Sequence, residues 1–262
     1  AHVVRPGSNT NGRRIMARVL EFKKSDTEIG IYVRTQIDGP ESDMLNMFIE
    51  QYLDKLCASK QHYALFYEPL LPTGYPDLVI VSYSPNKYES WTKERAKIGV
   101  LELKVLHHLY FVKGATSSSI EKQLGIESGL LLKILERLMD ASLVRRTKQQ
   151  WSPKPLSHSY GICNIRTIEA KISDWQSAIS QASINRWFSS ESFVLSPASR
   201  HSEQVLNSAK TKGIGIYSMP SNTRAKIIQK PERLGGLPVS YASWLFNEWI
   251  GRQLSRSSGV SS

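Results

Sequence analysis

Cysteine is nearly missing from this chain. Cys57 and Cys163 are its only two, and neither has the spacing of a thiolate metal site. A disulfide framework is not expected, and free thiols in a reducing, cytoplasmic setting are. Long hydrophobic runs are also missing, so no spanning helix and no membrane partner are expected. Residues 1–14 lack the apolar stretch of a secretion signal. There is no Gly-x-Ser-x-Gly elbow and no phosphate-cradling glycine loop, so serine-nucleophile and nucleotide chemistry have no motif to rest on. No long internal repeat is present, which argues against a solenoid. Acidic residues are the scarcer sign, 23 against 34 Lys and Arg, for a net charge of +11. Such a surplus suits a polyanionic partner.

What is present is enough for a core. The chain has 262 residues, 40% of them hydrophobic, room for one large domain or two modest ones. Residues 1–12 read as a disordered leader and 255–262 as a disordered, Ser-rich tail. Short β-like runs occupy 15–22 and 29–37. Apolar positions recur at helical spacing through 42–56: Leu45, Phe48, Ile49, Tyr52, Leu53, Leu56. Strands are expected at 62–68 and 78–83, the second with so little polar content that it belongs in the middle of a sheet. A polar linker follows at 84–97. Strand-and-helix character returns with a strand at 162–169, and Ser173-Asp174-Trp175-Gln176 has the spacing that opens a helix, 174–186. A strand at 192–195, a helix at 202–209, a strand at 213–217 and a closing helix at 240–254 complete the pattern. The class is α/β, with 13–92 and 158–254 forming one discontinuous domain around a helical insertion, 93–157.

Within the insertion, helices are expected at 99–112, 117–124 and 128–140, with a tight turn at Gly125-Ile126 and two short strands around Leu143-Val144-Arg145-Arg146 and Gln150-Trp151. Residues 98–155 resemble a winged helix-turn-helix domain, an α+β module whose third helix faces a nucleic-acid groove. That resemblance makes Lys133, Arg137, Arg145, Arg146, Lys148 and Lys154 candidates to meet DNA phosphates. Residues 93–154 hold twelve basic and six acidic side chains, supplying +6 of the total of +11.

Two distant segments carry the sharper chemistry. Pro76-Asp77 opens one apolar strand, and Glu169-Ala170-Lys171 closes another. If those strands are neighbours, two carboxylates and an ammonium converge, which is equipment for holding a divalent metal and steering water onto a phosphate. Singly, each residue has an ordinary reading: Asp77 capping a turn, Glu169 and Lys171 at a strand end. Glu-x-Lys occurs three times, at Glu21, Glu102 and Glu169. Glu21 precedes the Pro-Asp strand, and Glu102 lies in a run of helical period, which leaves Glu169.

Pro76-Asp77, Glu169-Ala170-Lys171, an acidic Glu50 in the preceding helix and Gln181 in the following one resemble the PD-(D/E)xK nuclease superfamily, with its restriction-endonuclease-like mixed sheet flanked by helices. The likeness covers about 42–83 and 160–218. It implies a Mg²⁺- or Mn²⁺-dependent deoxyribonuclease. Asp77, Glu169 and the Ala170 carbonyl would ligate the metal, and Glu50 (or Glu68 in its stead) would add a ligand. Lys171 would hold the attacking water or the phosphate, and Gln181 would lie near the DNA backbone. Asn185 stands where that family often has an aromatic residue. A homodimer would supply two centres for two strands, and a further protein partner stays open. The rival readings are a non-catalytic DNA-binding regulator and a protein-interaction module on the same scaffold.

Overall fold

The computed structural model describes residues 19–35, 38–59, 61–221, 223–233, 235–236 and 239–257. Along the chain the elements are β1 (Val19–Phe22), α1 (Pro40–Ala58), β2 (His62–Tyr67), β3 (Leu78–Tyr83), a 3-10 turn (Pro85–Tyr88), α2 (Lys93–Ala96), α3 (Val100–Val112), β4 (Ala115–Thr116), α4 (Ser117–Leu124), α5 (Ser128–Asp140), β5 (Val144–Thr147), β6 (Gln150–Pro153), α6 (Leu156–Ser159), β7 (Ile162–Ala170), α7 (Trp175–Asn185), β8 (Glu191–Ser196), α8 (Glu203–Thr211), β9 (Gly215–Ser218), β10 (Lys226–Gln229) and α9 (Tyr241–Ser257). They form two units, each made of two stretches of chain. The first takes the described residues of Ala1–Tyr83 and Ile162–Pro238, the second those of Ser84–Gly161 and Val239–Ser262.

The first unit is α/β. Its mixed sheet has seven strands in the order β1-β2-β3-β7-β8-β9-β10. β3 runs antiparallel to both β2 and β7, whereas β7, β8 and β9 run parallel. Every residue of β3 is buried, as a strand flanked by neighbours and covered on both faces requires. On one face, Leu45, Phe48, Ile49 and Leu53 of α1 pack on Leu65, Leu78, Ile80 and Ile168. On the other, Ala178, Ile179 and Ala182 of α7 meet Val194 and Ile216. Each large aliphatic side chain so buried contributes about 1.5–3 kcal/mol.

Local chemistry starts both helices. Pro40 stands in the first turn of α1, Glu41 and Asp43 are the acidic residues there, and the Gly39 amide donates to Ser42 Oγ at 3.0 Å. Asp174 accepts from the Ser177 amide at 3.2 Å to open α7, so the cap is one residue later than the Ser173 cap that the capping spacing implied.

The second unit packs α3, α4 and α5 with a three-stranded antiparallel sheet of order β4-β6-β5. Gly125 takes φ +63° at the end of α4, which lets the chain turn sharply into α5. Leu106, Leu109, Ile120, Leu131, Leu135, Leu138, Leu143 and Trp151 are buried. Trp151 donates from Nε1 to Ser117 Oγ at 2.9 Å, tying β6 to the start of α4.

Several expectations change. The closing helix was expected within the 158–254 part of the discontinuous domain, but α9 belongs to the second unit. Its Trp244, Phe246 and Ile250 are buried, and Glu248 pairs with the buried Arg95 at 2.8 Å. α9 runs to Ser257, so the expected tail from 255 begins as helix. Residues 258–262 and the expected leader lie outside the described residues, as do the first residues of the run at 15–22 and the end of that at 29–37. The described part of 29–37 forms only the isolated bridges Asp26↔Ile31 and Val33↔Pro69, not a strand. The linker at 84–97 contains the 3-10 turn and α2. β10 was not expected: Lys-Ile-Ile-Gln alone is too short a pattern to read. Among the described residues, no helix is long and apolar enough to cross a membrane.

Candidate functional site

The register between β3 and β7 builds the site. Leu78 pairs with Ile168 in this antiparallel ladder, so one step further Asp77 stands opposite Glu169. Directly opposed residues of antiparallel strands share a face, with Cα atoms about 4.5–5.5 Å apart. Ala170 donates its amide to Asp77 Oδ2 at 2.8 Å, which fixes the aspartate at this end of the ladder. On the other side of β3, Tyr67 pairs with Leu78, and the Glu68 amide donates to the Asp77 carbonyl at 3.1 Å. Three adjacent strands therefore end together, bringing Glu68, Asp77 and Glu169 to one edge of the sheet. Glu68 has φ +42°, an uncommon backbone for a non-glycine residue.

Other elements supply partners. Asn185, in the last turn of α7, donates from Nδ2 to Glu169 Oε1 at 2.6 Å. Glu41, in the first turn of α1, accepts from Lys171 Nζ at 3.1 Å and from the Ile172 amide at 3.3 Å. Arg34 donates from Nε to Glu68 Oε2 at 2.5 Å. Two cavities meet here, with Arg34, Glu41 and Asp77 lining both. The more polar one, of about 310 Å³, is also lined by Tyr75, Glu169, Lys171, Gln181 and Asn185. The other, of about 480 Å³, reaches Gly39, Ser42 and Glu68.

Burial dominates the electrostatics. It pushes the Asp77 carboxyl up to about 6, helped by the charges of Glu68 and Glu41 and opposed by the Ala170 amide and Lys171. It holds Glu169 well above the usual carboxylate range, with the neighbouring Asp77 charge adding to the effect and Asn185, Lys171 and Arg34 opposing it. Two desolvated carboxyls facing each other favour a shared proton or a bound cation over two bare charges.

Asp77, Glu169, Lys171 and Gln181 thus line one cavity, although the second unit's first stretch separates Asp77 from the others in sequence. Glu50 does not join them. It is exposed on α1, nine residues beyond Glu41 and therefore about 13 Å further along the helix axis. The acidic residue that α1 brings to the cleft is Glu41. Arg34 and Asn185 were also missed as site residues. Asn185 carried one signal: it lies four residues, one helical turn, after Gln181, and so on the same face of α7. In the second unit, Lys133, Arg145, Arg146 and Lys148 are exposed. Arg137 is exposed as well, and its Nη1 donates to Glu102 Oε1 at 2.8 Å.

Among the described residues, no group of three or more His, Cys, Asp and Glu side chains is placed to hold a metal ion. A closed cage of protein ligands is therefore not offered. Mg²⁺ needs less, since it binds through one or two carboxylates and keeps several waters. The facing Asp77 and Glu169 match that donor set, and their raised proton affinity marks the charge that a cation would neutralise. Comparison of the chain with protein-family models, curated proteins and solved structures returns no match.

Proposed function

We propose that this chain is a metal-dependent deoxyribonuclease that hydrolyses phosphodiester bonds, with a restriction-endonuclease-like first unit and a winged-helix second unit that aids DNA binding. One observation carries the reading: the β3–β7 register sets Asp77 against Glu169, with Lys171 lining the same cavity. A site with only a structural purpose would gain nothing from two desolvated carboxyls kept face to face, because burying them costs stability.

Asp77 and Glu169 are the side chains that would hold Mg²⁺ or Mn²⁺. When bound, the metal supplies a water of lowered pKa and offsets charge building on the phosphate. Asn185 fixes one oxygen of Glu169 and so orients the other. Lys171 carries the positive charge for the developing phosphorane. Glu41 holds that ammonium at the cleft before substrate arrives. Gln181, exposed on the cavity rim, is positioned to donate to a backbone oxygen of bound DNA. The surplus of basic side chains supports a phosphate-rich substrate.

The test is supercoiled plasmid incubated with the protein and Mg²⁺ or Mn²⁺. Nicking or linearisation that needs metal and vanishes in Lys171→Ala and Asp77→Asn is expected. Equal activity in wild type and Lys171→Ala would reject the reading. DNA binding without any cutting would favour a regulator on this scaffold.

A further inference from the structure

The second unit offers two surfaces to a partner, and they differ in charge. The outward side of α5, the third helix of its three-helix set, carries Lys133, Glu136 and Asp140 opposite the buried stripe and is slightly acidic. Leu130, Leu132 and Met139 are exposed on the flanks of that stripe. From Glu127 to Asp140 the sequence has two basic residues, Lys133 and Arg137, against Glu127, Glu136 and Asp140. Arg137 is exposed but pairs with Glu102, and Lys133 lies in the field of Glu127. A helix laid in a major groove passes between rows of phosphates, and this one brings little positive charge to them.

The β5–β6 hairpin is the opposite case. From 141 to 154 there are four basic residues, Arg145, Arg146, Lys148 and Lys154, and no acidic one. Arg145 and Lys148 are exposed, and Arg146 lies over the Trp151 ring with its guanidinium carbon 5.3 Å from the centroid. Trp151 is buried and hydrogen-bonded to Ser117, so the hairpin is anchored to the helices and not a loose arm. Thr147 pairs with Gln150, leaving Lys148 and Gln149 as a two-residue turn. Lys148 adopts φ +56° at the first of these positions, which ordinarily goes to glycine or asparagine. A lysine kept there, against its own backbone preference, puts a charge at the tip of the hairpin.

We infer that the β5–β6 hairpin, and not the outward face of α5, is the surface of the second unit that grips DNA, through the phosphate backbone and without base readout. The inference rests on the proposal that the chain acts on DNA, but not on its cutting it. The test uses the full chain and a short labelled duplex in EDTA, with binding followed by fluorescence anisotropy over a salt series. Arg145→Ala with Lys148→Ala is expected to weaken binding about tenfold and to flatten the slope of log K against log salt by about 2. Lys133→Ala is expected to change affinity less than about twofold, as for a lysine outside the footprint. Lys148→Gly separates charge from folding. It suits the turn, so the melting temperature holds or rises while affinity falls and the slope drops by about 1.

An unchanged slope in the double variant, a loss in Lys133→Ala as large as in the hairpin variants, or a wild type with no affinity for duplex DNA would each overturn the inference. Hairpin-dependent binding in a wild type that never cuts DNA with Mg²⁺ would leave it standing and remove the nuclease reading instead. Cutting by a wild type whose hairpin variants bind normally would do the reverse.

Discussion

Asp77 and Glu169 keep their protons more readily in the folded chain than they would in water, and the direction of that shift fixes a stability trend. Burial lifts Asp77 to about 6 from an ordinary value of 3.8. A carboxyl with a raised folded pKa contributes stability that is fully present below pH 3.8 and lost as pH rises through about 6. Glu169 moves in the same direction. In EDTA, Asp77→Asn is therefore expected to stabilise the protein at pH 8 by about 1–3 kcal/mol, and to make little difference near pH 4. Asparagine can still accept from the Ala170 amide. Thermal melts of both proteins at the two pH values check this, and a destabilised variant at pH 8 would contradict it. Added Mg²⁺ should raise the wild-type melting temperature most at pH 8, where the carboxyls have lost their protons, and should not move that of Asp77→Asn.

Asn185 gives a second residue-scale outcome. Its amide is one of the groups opposing protonation of Glu169. Asn185→Ala should push that carboxyl higher and shift the pH profile of metal-dependent cleavage toward alkaline pH, and should cost about 1–3 kcal/mol of stability for the buried Glu169 oxygen left without its donor. A loss of activity that is uniform across pH would instead mean that Asn185 acts only in packing. Asn185 was visible in the sequence as the residue one helical turn beyond Gln181, where an aromatic was expected. Its meaning depends on α7 delivering it to the end of β7.

At the scale of elements, patterns long enough to repeat were legible and short ones were not. α1, α5, α7 and β3 lie at or within a few residues of their expected bounds, because burial on a known face repeats along them. β10, with Ile227 and Ile228 about half exposed, lacks a period that could separate it from a loop. The partner of α9 was equally out of reach. Its amphipathic pattern says that it packs, not on what. The structure pairs its Glu248 with Arg95 and gives Asn247 four neighbours. Asn247 Oδ1 accepts from Tyr88 Oη at 3.0 Å and from the Gly161 amide at 2.9 Å. Its Nδ2 donates to the Ser159 carbonyl at 3.1 Å and to Glu248 Oε1 at 3.0 Å. Glu248→Ala strands a buried guanidinium and should cost about 3–5 kcal/mol in urea unfolding, the usual loss for a broken buried pair. A change under about 1 kcal/mol would mean that Arg95 reaches water or another anion.

At the scale of the molecule, the chain passes between its two units three times, after Tyr83, after Gly161 and near 238. Neither unit is a continuous segment. A fragment of residues 84–161 alone lacks Trp244, Phe246 and Ile250 and is expected to stay largely unfolded by circular dichroism and amide dispersion. Supplying residues 239–257 through a short linker should restore it. A fragment that folds without α9 would show that the helix is an accessory to that unit.

Composition and local pattern determined the α/β class, the positions of the longer helices and of the central strand, the break in character after residue 83, and the residue types able to hold a cation. These follow from burial period, capping chemistry and charge, which act within a few residues of one another. Tertiary structure alone decided that Asp77 lies across from Glu169, that Glu41 and not Glu50 reaches the cleft, and that α9 completes the other unit. Such outcomes depend on strand register and on which apolar faces meet. Both are settled by packing between segments far apart in the chain, where a shift of one residue would send a buried carboxyl to the opposite side of the sheet.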